Sequence, residues 1–146
     1  MKSFSGKLQL IFSVIGIVMC CCGEGWGVNW REYFSTDSSK YYYDEESFTR
    51  LSNFSITIRV KFVLTDKGVM SATQTLGKEY RNLGHTVQLM AINCVDHTSN
   101  IVEAIFYSKT GDIISREEYP YADWRSIPPK TPHEALLKVV CKQTKR

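Results

Sequence analysis

The feature that most limits what this chain can become is its last regular stretch, Thr131 to Lys142, which reads as a short amphipathic helix with a recognisable start. Thr131 suits the cap and Pro132 the first helical position. Glu134 falls three residues after the cap, the spacing of a capping box. Glu134, Lys138 and Lys142 then line one face at four-residue intervals, acid before base, while Leu136, Leu137, Val139, Val140 and Cys141 supply apolar surface. A helix this short is marginal alone in water, so its apolar side must rest on a second layer.

The rest of the chain supplies that layer as strands. From Ser55 to Asp66, Ile56, Ile58, Val60, Phe62 and Leu64 alternate with Thr57, Arg59, Lys61 and Val63. Period two with one mostly polar face predicts a half-buried antiparallel strand through the middle of a sheet, with Arg59 and Lys61 pointing outwards. Trp30–Phe34 and Lys40–Tyr43 predict a hairpin closed by Ser35–Ser39, and Asp44–Phe48 a polar turn after it. His85–Val95, Asn100–Ser108 and Ile113–Glu118 continue as a meander, the last two joined by the tight turn Lys109-Thr110-Gly111-Asp112. In His85–Val95, Cys94 shares a face with Gln88, Met90 and Ile92, and Val87, Leu89 and Ala91 fill the other, so cover on both sides is expected. Lys67–Gly84 lacks a clean period and reads as a long connection with a short helical turn around Leu76–Asn82, suited to partner contact. Trp124, in the extended approach to the final helix, is expected to wedge between helix and sheet. The fold class is therefore α+β: an antiparallel sheet with a C-terminal α-helix packed on one face.

A chain of 146 residues has room for one domain. Its net charge of +3 is slight, falling to about +2 without residues 1–25, and does not suggest a nucleic-acid binder. Lys2 and Lys7 precede an apolar run of about 15 residues from Leu8 to Cys22, in the range of a signal-peptide core. A comfortable membrane span needs roughly 20. Residues 1–25 are read as a signal peptide, with cleavage near 20–27, and 26–146 as a single exported domain; an uncleaved membrane anchor is the alternative. Cys20, Cys21 and Cys22 are either apolar filler lost with the signal or lipid-attachment sites, though each has irregular neighbours for lipoprotein processing. Cys94 and Cys141 remain. An even count in an exported chain points to a disulfide, with a metal pair or a reactive thiol as the sharper alternatives.

Signs of catalysis are missing from the sequence. It contains no G-x-S-x-G, P-loop, G-x-G-x-x-G or H-E-x-x-H motif. Cys94, Asp96 and His97 lie close together but lack a fourth metal ligand, His133 falls in the first turn of a capped helix where exposure is expected, and the pairs Glu45-Glu46 and Glu117-Glu118 diverge if placed on strands. The reading is a non-enzymatic chain without cofactor or metal. Arg59, Lys61, Lys78 and Arg81 are its candidate partner contacts, chosen by charge.

With these residues in view, the chain resembles the bacterial surface-adhesin protein E family over nearly the whole region after the leader. The resemblance rests on Trp30, on Tyr42-Tyr43-Asp44 with Glu46-Ser47-Phe48, on the alternating strand from Ser55, on Asn93-Cys94, and on Tyr107 with Gly111. Its most specific part runs from Trp124-Arg125 through Ile127, Pro129, Thr131, Glu134 and Leu136 to Cys141. It implies a sheet of about six strands with the C-terminal helix across it, the helix tied to the sheet by a Cys94–Cys141 disulfide. It also implies an exported, lipid-anchored adhesin that binds host extracellular-matrix proteins such as vitronectin and laminin. Here Glu45 replaces a proline common after the Asp44-type turn, and the lipidation signal is irregular. Membrane attachment is expected only through a lipid anchor, in the periplasm or at the outer membrane and cell surface, and a homodimer is left open. Two other readings compete: a periplasmic accessory protein that contacts another envelope protein, and a small-ligand binder with a cavity lined by Met90 and Trp124.

Overall fold

The computed structural model describes residues 27–119 and 123–143. The expected leader, with Cys20, Cys21 and Cys22, lies outside them. Six antiparallel strands form the main path of the sheet in the order β1 (Trp30–Ser35), β2 (Ser39–Asp44), β4 (Ser55–Leu64), β5 (Leu83–Asn93), β6 (Thr98–Ser108) and β7 (Ile113–Glu118). Two stubs complete it: β3 (Thr49–Arg50) beside β4 and β8 (Arg125–Ser126) beside β6. Helix α1 (Asp66–Leu76) and a 3-10 helix (Lys78–Asn82) connect β4 to β5, and α2 (Pro132–Gln143) closes the chain.

The alternation of β4 does what its pattern requires. Ile56, Ile58 and Val60 pair across to Ile92, Met90 and Gln88 of β5, and this face meets α2. Leu136, Leu137 and Val140 of α2 join Tyr43, Ile56, Ile58, Val60, Met90 and Ile92 in one buried cluster. Removing apolar area from water is the main favourable contribution here, about 2 kcal/mol for each large side chain. Both layers are then held covalently. Cys94, just after β5, is bonded to Cys141 of α2 with a Cα–Cα distance of 5.6 Å. Met90, Ala91 and Ile92 are all buried, so β5 is shielded on both faces over this stretch, although α2 lies on one side only. Ala91 needs no helix over it, being a short side chain with Thr57 and Asn100 beside it on neighbouring strands.

The start of α2 follows the capping pattern with one change. The Glu134 N–H donates to the Thr131 hydroxyl, while the Glu134 carboxylate accepts from the Lys130 N–H and pairs with Lys138 at 3.2 Å. Those donors hold its carboxyl below the usual range, the Lys130 backbone contributing most. The Asp44 turn is equally defined. Asp44 is buried and its carboxylate accepts from the Asn29 and Glu46 N–H groups. Ser47 then takes the Arg59 N–H at 2.8 Å, and Phe48 packs edge-on against Tyr43.

Three expectations need correction. Residues 66–76 are an α-helix, where a connection was expected, and helical geometry resumes over Lys78–Asn82. The helix depends on tertiary fit. Its Thr65 cap accepts from the Gly68 N–H, and Thr65 also donates to the Asp37 carbonyl. Gly68 packs so closely that a Cβ would lie 2.1 Å from the Ser38 carbonyl oxygen. Trp124 is no wedge: it is 39% exposed, and Ile127 packs against the core instead. His133 is partly covered rather than fully exposed.

Replacing Cys94 and Cys141 by serine, which frees a 47-residue separation, is expected to lower unfolding free energy by about 4 kcal/mol in urea titration. Gly68→Ala should also destabilise. At an ordinary helix interior that change gains about 1 kcal/mol, so the sign of the measured shift tests the contact with Ser38.

Candidate functional site: the uncovered sheet face

The registers sort every strand residue onto one of two faces. Tyr80 of the 3-10 helix stacks edge-on with Phe106, and its hydroxyl lies 2.9 Å from the Ser115 hydroxyl. Phe106 pairs with Thr86, on the same face as Met90 and the α2 contact. The 3-10 helix and α2 therefore cover one face, and neither lies on the other.

That other face carries Arg59 and Lys61 of β4 side by side with Tyr42, Leu89 and Val87 on the flanking strands. The Lys61 ammonium stands 5.6 Å from the centroid of the Trp30 ring, an electrostatic attraction to the π face. One row on, His85 stacks flat on Tyr107 with centroids 4.7 Å apart. Burial, followed by the nearby Lys61 charge, lowers the His85 pKa, so the imidazole is neutral at neutral pH. Arg116 is committed to Glu103 at 2.6 Å. Among the described residues, neither Arg59 nor Lys61 has a carboxylate partner. The surface can therefore offer cationic and aromatic groups to an acidic partner.

Lys78 and Arg81 are not part of this group. They sit on the 3-10 helix, which packs against the opposite face, so the four candidate contacts split into two pairs. Sequence reading missed Trp30, His85 and Tyr107 as members of the face. The β5 alternation places His85 with Val87 and Leu89, but its partner Tyr107 becomes visible only with the β5–β6 register.

The chemistry elsewhere is sparse. Among the described residues no group of three or more His, Cys, Asp or Glu could hold a metal. Cys94 and Cys141 are joined, which removes them as ligands or reactive thiols. Met90 is packed in the core and Trp124 lies at the surface, so they do not wall a common cavity. A cleft of about 530 Å³ beside α2 is lined by Ile101, Tyr119, Arg125 and His133 among others. Burial there lowers the His133 pKa.

Sheet, helix and covalent clasp define a class of small disulfide-bridged α+β domain with one sheet face left for contacts. The chain belongs to the surface-adhesin protein E family, whose sequence model matches residues 30–142. This is an adhesin family, not an enzyme family. Among solved structures the chain is similar to Haemophilus influenzae protein E in its crystal form II, with a TM-score of 0.50, 15% identity, and coverage of 82% of this chain and 99% of that one. A second structure of Haemophilus influenzae protein E matches at a TM-score of 0.47 and 15% identity, covering 80% and 96% respectively. At this identity the first match speaks for a shared fold. No curated protein matches the chain by sequence.

The two shifted histidines set a pH dependence. A folded-state pKa below the unfolded value of about 6.5 means that the unfolded chain binds more protons in that window, so stability falls as pH drops below about 6.5. Urea midpoints should decrease on acidification from about pH 7.5 to about pH 5.5, and a His85→Gln/His133→Gln variant should show a flatter profile over this range.

Proposed function

We propose that this chain is an exported, non-enzymatic interaction domain that is displayed at the cell surface and adheres to host extracellular-matrix proteins. The N-terminal leader directs export and is cut just before one of Cys20, Cys21 and Cys22, which carries the lipid that retains the domain. The observation that supports the reading is family membership over residues 30–142, together with Arg59 and Lys61 standing without carboxylate partners on an uncovered sheet face. Such cations, Arg59 exposed and Lys61 half-buried, add affinity for an acidic surface in modest steps, and salt weakens them. Among the described residues no helix is long and apolar enough to cross a membrane.

Purified protein should bind immobilised laminin or vitronectin, less so as salt is raised. Arg59→Gln/Lys61→Gln should weaken binding roughly two- to thirtyfold, as for two exposed ion pairs. Protease treatment of whole cells should remove the domain. Survival of the protein in that treatment, or absence of matrix binding by intact protein, would overturn the adhesin reading and favour the periplasmic accessory role.

A further inference from the structure

One end of the sheet gathers three large, exposed apolar side chains on two adjoining turns. At the start of β4, Leu51 and Phe54 are 59% and 57% exposed, on a turn whose conformation is set by the Ser52 hydroxyl accepting from the Phe54 and Ser55 N–H groups. Val95, 62% exposed, lies on the adjoining turn after β5, which is locked to the first by the Cys94 N–H donating to the Phe54 carbonyl. Three large apolar side chains therefore project from two neighbouring turns and pack against nothing in the core. The disulfide fixes the α2 end beside them, and brings Lys142 to this end; Arg50 flanks the first turn. Neither base has an ion-pair partner among the described residues. Lys145 and Arg146 follow in the sequence.

The chain also enters the domain from this side. Trp30 pairs with Asp44, and Tyr43 with Val60, so β1 begins near the level of Arg59 and its preceding residues come from the Ser55 end of β4. Only residues 23–26 separate Cys22 from the first described residue, a reach of less than about 20 Å even when fully extended. A lipid on one of these cysteines, or an anchor retained over Leu8–Cys22, would hold this same end against the bilayer.

We propose that the Leu51–Phe54 and Val95 turns form a membrane-docking tip that inserts shallowly among anionic lipid headgroups of the protein's own membrane, with Arg50 and Lys142 at its rim. Apolar side chains below the headgroups and bases at their level are the combination that gives interfacial binding. The inference rests on the membrane-tethered reading above, and it goes further by fixing the orientation. Docked in this way, the domain turns Lys78 and Arg81, at the start of β5, away from the bilayer.

The test uses the full processed chain in vesicles of phosphatidylglycerol and phosphatidylethanolamine that contain brominated lipid. Phe54→Trp adds an indole at the tip, and Thr110→Trp adds one in the turn at the opposite end. Brominated lipid should quench most of the emission added at position 54 and little of that added at 110. Leu51→Ser/Phe54→Ser in chains with Cys20, Cys21 and Cys22 changed to serine should weaken partition into the same vesicles by at least about tenfold, the equivalent of burying one large side chain. Equal quenching at the two positions, or none at 54, overturns the tip. Palmitate incorporation, measured separately, reports the tether, so loss of the anchor and loss of the docking are told apart. Binding that survives the double serine change places the lipid contact elsewhere, and binding that needs a protein in the vesicle assigns the patch to a protein partner; either overturns the proposal.

Discussion

The contact between α2 and the β4–β5 pair is the interaction on which the remaining structure depends. Leu136, Leu137 and Val140 are buried there in one cluster with Ile58, Val60 and Met90. Neither layer is stable alone: a helix of this length frays in water, and a bare apolar sheet face invites association. The Cys94–Cys141 bond reinforces a contact that hydrophobic burial already favours. It also explains the placing of Ile127 and Pro129, which lead the chain from β8 to the helix and line the groove beside the disulfide.

Much of this was legible from residues alone, for a physical reason in each case. The β4 strand announces itself because one face is buried and the other wet, and α2 because its cap and apolar side agree. Helix α1 stayed hidden because few of its residues are buried, Gly68 and Val69 among them. Its run of Ser, Thr and Gly is a weak helix former, and what holds it is a glycine-sized gap against Ser38 that no local pattern encodes. The stubs β3 and β8, two residues each, are too short to show alternation. Trp124 misled because a large aromatic suggests burial, whereas the smaller Ile127 fits the space available.

The candidate site was half legible. Charge drew attention to Arg59, Lys61, Lys78 and Arg81, and alternation put the first two on one surface. Only the strand registers show that Trp30 and Tyr42 accompany them. The packing of Tyr80 likewise sends Lys78 and Arg81 to the opposite layer. Long-range pairing decides which charges act together, and a single sequence does not contain it.

Among the described residues the sheet does not close on itself, so β1 and β7 each present an outer edge. Hydrogen-bonding groups along such a margin are a template for another molecule's strand, a particular hazard where many copies are crowded at high local density. The margins here are poor templates. Arg31 and Glu32 occupy one, interrupted by the bulge at Tyr33, while Arg116, Glu117 and Glu118 occupy the other. Charge and irregularity at both borders work against neighbouring copies knitting into a continuous ribbon.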